Sequence, residues 1–223
     1  LPETMRAVMI REKDDDGAYS VVDDLPGLIS LVQLGVLEIH PWGARADDVE
    51  HPDIMVFDLD PGPDVEWSAV IEGARLLRGR LDELGLTSFV KTTGGKGLHV
   101  VIPLIRRAGW EEVKAFSKAV AEKVAREEPR KYVATMSKAK RKNKIFIDYV
   151  RNSRGATSVA AYSTRARPAA PVSTPLGWEE LSPDLPSDAF TVQNLAARLK
   201  RLKEDPWEKY FSVRQSITKP MKN

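Results

Sequence analysis

The run Ile54-Met-Val-Phe-Asp58-Leu-Asp60 reads as a buried β-strand that ends in two carboxylates. Side chains two apart on a strand point to the same face, so Asp58 and Asp60 share one spot. Like charges held together and partly stripped of water are costly unless something positive lies between them. A divalent ion is the usual answer, because hard cations such as Mg²⁺ take carboxylate oxygens. On this motif alone a second reading stays open: one aspartate caps the turn at Pro61-Gly62-Pro63 and the other is solvated.

Two further segments bear on the choice. Thr92-Thr-Gly-Gly-Lys-Gly-Leu-His99 is a glycine-rich turn that leads into the apolar run Val100 to Pro103. Gly94, Gly95 and Gly97 let the backbone turn with positive φ and bring amide N–H groups close to a ligand. Thr93 adds a hydroxyl, Lys96 a charge and His99 a ring donor, a set that suits a polyphosphate. The segment is neither a P-loop nor a dinucleotide fingerprint, since the spacing fails the first and a strand follows where the second needs a helix. Taken alone it also reads as a plain hairpin turn. In Lys144-Ile-Phe-Ile-Asp148-Tyr-Val150 an apolar run again carries an acid foreign to a core. A third carboxylate on a neighbouring strand would complete a two-metal site for Mn²⁺ or Mg²⁺, whose ions lie about 3.5–4 Å apart.

The chain has 223 residues, 42% of them hydrophobic, enough for one sizeable domain with a real core. It has no cysteine, so no disulfide framework and no thiolate metal site, which fits a reducing cytosol. No run of about 18 apolar residues is present, so no membrane is implied. The start, Leu1-Pro-Glu-Thr, has no signal-peptide pattern, and Leu1 suggests an excised or processed piece. Net charge is only +2, but it is unevenly spread: acids gather at Asp14-Asp15-Asp16 and Asp47-Asp48, bases at Lys138 to Lys144 and at Arg151, Arg154, Arg165 and Arg167.

Pattern along the chain predicts strands at Met5–Ile10 and Tyr19–Val22, joined by an acidic turn at Lys13 to Gly17 whose spacing excludes a ligase-type nucleotidyl-lysine motif. A short helix follows at Leu25–Leu34, then a strand at Val36–His40. Helices are predicted at Val65–Leu84 and Trp110–Arg126, strands at Ser88–Lys91 and Thr157–Tyr162. A proline-rich surface segment is predicted at Ala166–Pro186 and a helix at Phe190–Lys203. Trp67, Trp110 and Phe116 sit at helical positions and read as core; His40 and His51 read as structural. The fold class is α+β, a mixed and largely antiparallel central sheet flanked by helices. The organisation is a single domain over 1–223: a leading hairpin and helix at 1–35, a catalytic core at 36–167, and a proline-rich surface segment with C-terminal helices at 168–223.

Taken in order, Glu38-Ile-His-Pro-Trp42, Asp58-Leu-Asp60-Pro-Gly, Gly94-Gly-Lys-Gly-Leu-His99, Ala134-Thr-Met-Ser-Lys138, Ile147-Asp148-Tyr-Val-Arg151-Asn and Tyr162-Ser-Thr-Arg165-Ala-Arg167 resemble the polymerase domain of bacterial LigD, a member of the archaeo-eukaryotic primase superfamily. The resemblance runs from about Leu34 to Gly177. It implies a primase-like core that adds nucleotides, preferably ribonucleotides, to DNA ends during non-homologous end joining, beside the end-binding protein Ku and an ATP-dependent DNA ligase. By position it makes Asp58, Asp60 and Asp148 the metal-binding catalytic triad. It gives Thr93, Gly94, Gly95, Lys96, His99, Arg151, Thr157, Arg165 and Arg167 to the nucleoside triphosphate, with Thr93 standing where a serine is common. It also implies a prokaryotic, cytoplasmic, nucleoid-associated protein, and a leading segment that this chain lacks.

The basic residues Lys138, Lys140, Arg141, Lys142 and Lys144 read either as a solvated loop or as a track for the phosphates of a gapped or overhanging primer–template; leading straight into the Asp148 strand favours the second. Two other functions compete. An Asp-x-Asp glycosyltransferase would hold a nucleotide-sugar through Mn²⁺, but has no use for a third acid or for Arg165 and Arg167. A catalytically inactive DNA-end-binding module would keep the basic surface alone.

Overall fold

The computed structural model describes residues 1–12 and 15–217; Lys13 and Asp14 of the predicted acidic turn lie outside them. Strands β1 (Arg6–Arg11) and β2 (Asp16–Val21) form an antiparallel hairpin. Helix α1 (Leu25–Gln33) is capped by the Asp24 carboxylate, which accepts from the Gly27 N–H, and stops before Gly35 at φ +76°. Of its residues only Gly27 and Ser30 are buried, leaving Leu25, Ile29 and Val32 exposed. Then come β3 (Ile54–Pro61), α2 (Trp67–Glu83), β4 (Phe89–Thr92), β5 (Leu98–Pro103), α3 (Trp110–Glu127), β6 (Tyr132–Val133), β7 (Ile145–Asp148), β8 (Pro175–Leu176) and α4 (Leu195–Arg201).

Six strands make one sheet in the order β6-β7-β3-β5-β4-β8, antiparallel throughout except for the parallel β6–β7 pair. It is a mixed, largely antiparallel α+β sheet. The alternation of side chains decides what each face does. Met55, Phe57 and Leu59 of β3, Leu98, Val100 and Ile102 of β5, and Ile145 and Ile147 of β7 point to α2 and α3 and build the main core with Val70, Leu77, Leu81, Val113 and Val120. Side chains of the intervening residues point the other way. At one end of that second face Val56, Phe89 and Val101 are covered by the C-terminal Trp207 and Tyr210. At its other end stand Asp58, Asp60 and Asp148, which share the second face by the same alternation.

Four expected elements come out differently. Val36–His40 and Thr157–Tyr162 are not strands. They run side by side with only a bridge at Trp42 and Thr157 and bonds from the N–H groups of Ala160 to Ile39 and Ser158 to Pro41. Pro41 has no N–H to give the ladder, and Tyr162 turns to φ +63°. The proline-rich stretch is not all surface: Val172, Ser173, Thr174 and Leu176 are buried, and Pro175–Leu176 adds an edge strand to β4. An edge position, at the start of a strand, is where proline costs least. The last helix shortens to seven residues, Leu195–Arg201, because Phe190 and Thr191 bond instead to Val172 and Pro171. Trp110 and Phe116 are buried and Trp67 packs at the core margin, each as expected. Among the described residues no helix is long and apolar enough to cross a membrane.

Candidate active site

One row of side chains crosses four strands. Asp148 on β7 lies opposite Asp58 on β3, Asp58 opposite His99 on β5, and His99 opposite Lys91 on β4. Asp60 stands two residues along from Asp58 on the same face. Above this row lies a cleft of about 270 Å³, lined by Asp58, Asp60, the glycine turn, His99, Arg151, Arg165 and Arg167. A larger cavity, about 670 Å³, lies between the β1–β2 hairpin and residues 39–49. It holds none of the three acids, whereas Asp58 and Asp60 line the smaller cleft, which is the chemical one.

The carboxylates are unequal. Burial works to raise the Asp58 pKa, but His99, Arg151 and Lys91 outweigh it and hold the group below its ordinary value. Asp60 is raised, first by burial and then by the charge on Asp58. Asp148 is raised by burial; the Val150 N–H opposes the shift and Asp58 adds to it. Two guanidinium groups answer the three acids. Arg151 reaches Asp58 and Asp148, each at 3.5 Å, and Arg141 reaches Asp60 at 3.4 Å. Among the described residues no three acidic or histidine side chains stand close enough, as oriented, to grip an ion. The donor set nevertheless suits a hard divalent cation: three carboxylates from adjacent strands share one face, and two of them are destabilised as anions by crowding and burial.

The glycine turn is built for close approach. Gly94 has φ +64°, and a Cβ on Gly97 would come within 2.3 Å of the Leu59 carbonyl oxygen. The guanidinium of Arg167 lies against Gly95, while Arg165 donates to the Thr93 carbonyl at 2.6 Å and pairs with Glu38 at 3.1 Å. Lys96 is exposed at the tip of the turn. The Thr93 hydroxyl is committed inside the turn, donating to the Gly97 carbonyl at 3.2 Å and accepting from the Gly95 N–H at 3.2 Å. His99 is buried, and burial together with the Lys91 charge pushes its pKa down to about 4, so the ring is neutral at pH 7. Its Nε2 faces Asp58 at 3.5 Å, and its Nδ1 has no partner among the described residues. Facing a carboxylate favours the tautomer with the proton on Nε2. Donation from Nδ1 to a phosphate then requires a shift of that proton.

Thr157 stands apart from the cleft: it bridges to Trp42, and its carbonyl accepts from Arg151 at 3.3 Å. Arg141 does not face solvent with the rest of the basic stretch. Its guanidinium stacks on Phe146 at 3.8 Å, donates to the Met136 carbonyl at 2.9 Å and turns toward Asp60. Lys138, Lys140 and Lys142 are exposed, and Lys144 is half-buried, its carbonyl held by the Gly62 N–H at 2.8 Å.

Three residues in or next to the site escape the sequence reading. His40, read as structural, lines the cleft and pairs with Glu38 at 2.7 Å. Glu38 is held down to about 2, chiefly by the Ala166 N–H and His40, with burial opposing and Arg165 assisting. Lys91 sits buried at the β4 end of the row, and burial pushes it down to about 7 against the pull of Asp58. A usable signal exists for Lys91: a lysine inside the apolar strand Phe89–Thr92 is as foreign as the acids are in theirs.

A family model described as LigD, primase-polymerase domain, matches residues 1–207. The chain belongs to this family. The multifunctional non-homologous end joining protein LigD of Pseudomonas aeruginosa is 45% identical over 196 residues, 87% of this chain and 23% of that protein. The bifunctional LigD of Bacillus subtilis is 30% identical over 190 residues, 83% of this chain and 31% of that protein. The chain thus spans less than a third of the length of these LigD relatives. Among solved structures, the polymerase domain of Mycobacterium tuberculosis ligase D in complex with DNA matches with a TM-score of 0.85 at 30% identity, covering 93% of this chain and 75% of that one. The LigD polymerase fold and the α+β sheet described above are the same.

Proposed function

We propose that this domain is a metal-dependent nucleotidyltransferase that adds nucleotides, ribonucleotides by preference, to a primer 3′-hydroxyl at DNA ends or gaps during double-strand break repair by end joining. One observation carries the reading: Asp148 stands directly opposite Asp58, and Asp58 and Asp60 line the cleft beside the glycine turn. Asp58, Asp60 and Asp148 would hold Mn²⁺ or Mg²⁺, as one ion or two. When bound there, the ion supplies positive charge to the phosphate oxygens and to the attacking hydroxyl.

The protein's own groups do the rest. The amides of the glycine turn, Lys96 and Arg167 present positive charge where a triphosphate would lie. Arg165 fixes the turn from beneath, and Arg151 shields the Asp58–Asp148 pair. In the transfer the primer hydroxyl attacks the α-phosphorus and pyrophosphate leaves, so positioning and electrostatics supply most of the rate. The exposed Lys138, Lys140 and Lys142 would follow DNA phosphates, in keeping with the DNA complex of the mycobacterial relative. Ku and a DNA ligase are the proposed partners, on the strength of the end-joining relatives.

The test is primer extension on gapped and overhanging DNA with Mn²⁺ and ribo- or deoxyribonucleotides. Extension by the wild type and none by Asp60→Ala is expected; extension that survives Asp60→Ala sinks the proposal. A salt-dependent gel shift on DNA ends with no incorporation would point instead to a binding module. Membership in the LigD family leaves the glycosyltransferase alternative without a supporting observation.

A further inference from the structure

Lys91 has no role in the transfer outlined above, yet it is only 3% exposed, at the β4 end of the row that carries Asp58 and His99. A buried ammonium is costly unless its hydrogen bonds are made, and an apolar side chain would serve β4 as well. Its donors go to two oxygens far along the chain, the Val159 carbonyl at 2.9 Å and the Ser173 hydroxyl at 2.7 Å. The Ser173 hydroxyl donates its own proton to the Thr92 carbonyl at 2.8 Å, so both bonds are anchored on β4.

Val159 and Ser173 are the two ends of one irregular excursion, and that excursion carries Arg165 and Arg167. It is closed at its neck by the Tyr162 N–H to Ser173 and the Ser173 N–H to Ser163, at 2.7 and 2.9 Å. Within it Tyr162, Ala169 and Ala170 hold positive φ values of 63°, 65° and 43°, a strain that persists only where the surroundings over-determine it. The Lys91 Nζ ties both ends to the sheet beneath the glycine turn.

We propose that Lys91 is a positioning residue for the nucleotide: its Nζ fixes both ends of the 159–173 excursion and thereby aims Arg165 and Arg167 across the glycine turn. The inference rests on the nucleotide-binding reading of the cleft. It is tested by calorimetric titration of a nucleoside triphosphate in the presence of Mn²⁺, with KM and kcat from primer extension. The proteins compared are the wild type, Lys91→Met, Ser173→Ala, Arg167→Ala and the Lys91→Met/Arg167→Ala double variant. Lys91→Met is expected to fold, with an unchanged far-UV spectrum. It should weaken nucleotide binding about tenfold, a difference of about 1.4 kcal/mol, and raise KM in step while kcat changes less than about threefold. In the Arg167→Ala background the same substitution should add little, because the two act through one element.

Ser173→Ala, which leaves Lys91 in place with one partner fewer, should reproduce part of the loss. Unchanged affinity in Lys91→Met, or a loss that adds in full to that of Arg167→Ala, overturns the proposal. Should Lys91→Met fail to fold, Ser173→Ala decides, and unchanged affinity there overturns it. A wild type that binds nucleotide but extends no primer overturns the polymerase reading while leaving the Lys91 result standing; one that binds no nucleotide overturns both.

Discussion

Asp148 faces Asp58 on the neighbouring strand and Glu38 pairs with Arg165, and the pKa values of the two acids are shifted in opposite directions. The Asp148 pKa is raised, chiefly by burial, so its ionised form costs stability at neutral pH, and that cost is relieved as pH falls through the raised value. Asp148→Asn should therefore raise the melting temperature without metal at pH 7 by about 2–4 °C, a gain of about 1 kcal/mol that shrinks on acidification. Mn²⁺ should reverse the order, since binding to the native state stabilises the wild type alone. Melting curves in EDTA and in Mn²⁺ check both; a wild-type curve that Mn²⁺ leaves unmoved counts against the carboxylate site. Glu38 is depressed to about 2 from 4.5, chiefly by the Ala166 N–H. Its contribution is present above the ordinary value and lost as pH falls toward the depressed one. Glu38→Gln should cost about 1–2 kcal/mol at pH 7, with the two proteins converging in denaturant melts as pH falls below that of ordinary carboxylates. Nucleotide affinity should fall as well, because Arg165 loses its anchor.

Among the elements, the glycine turn lies close against the sheet at Gly97. Gly97→Ala would drive its Cβ to 2.3 Å from the Leu59 carbonyl, a backbone atom of the strand that carries the acids. A destabilisation of about 1–3 kcal/mol is expected, with extension activity falling further than stability as Asp58 and Asp60 shift. Gly79 in α2 is the contrast: nothing lies within 4 Å of a Cβ there, and Gly79→Ala should stabilise by about 0.5–1 kcal/mol. Urea titrations of the two variants test the pair. The same physics explains what is legible in the sequence. The helices α2 and α3 follow from apolar spacing, with Gly85 as the stop of α2, and β3, β5 and β7 from β-branched runs in which an acid or histidine breaks the pattern. Asp58, Asp60 and Asp148 are readable for that reason, as residues that strand packing alone would not choose. The departures share a cause. Residues 36–42 and 157–174 take their shape in large part from bonds to segments far along the chain, such as the Ile39 N–H to Ser163 and Lys91 to Val159 and Ser173, and no local period records such partners. Arg141 and Thr157 depart likewise: one turns inward onto Phe146 and Asp60, the other outward to Trp42.

For the whole molecule, a net charge of only +2 is too small to hold a polyanion by itself, so any DNA affinity must come from where the charges lie. The fold divides the basic stretch in two. Lys138, Lys140 and Lys142 are exposed, whereas the Arg141 guanidinium is committed to Asp60, Phe146 and the Met136 carbonyl. The two groups should therefore respond differently to salt. Removing one cation from a DNA phosphate reduces the steepness of log K against log salt by about 0.9 on duplex DNA and about 0.7 on single strands. Replacing Lys138, Lys140 and Lys142 together by alanine should flatten the slope by about 2–3 units while leaving nucleotide affinity unchanged. Arg141→Ala should leave the slope within about half a unit of wild type. Its effect should fall on Asp60, as an altered Mn²⁺ requirement for extension, because the cation facing that carboxylate is gone. Fluorescence anisotropy on a gapped duplex at several salt concentrations, with a Mn²⁺ titration of extension beside it, separates the two. A slope that falls equally in both variants would mean that Arg141 leaves Asp60 for the DNA backbone on binding.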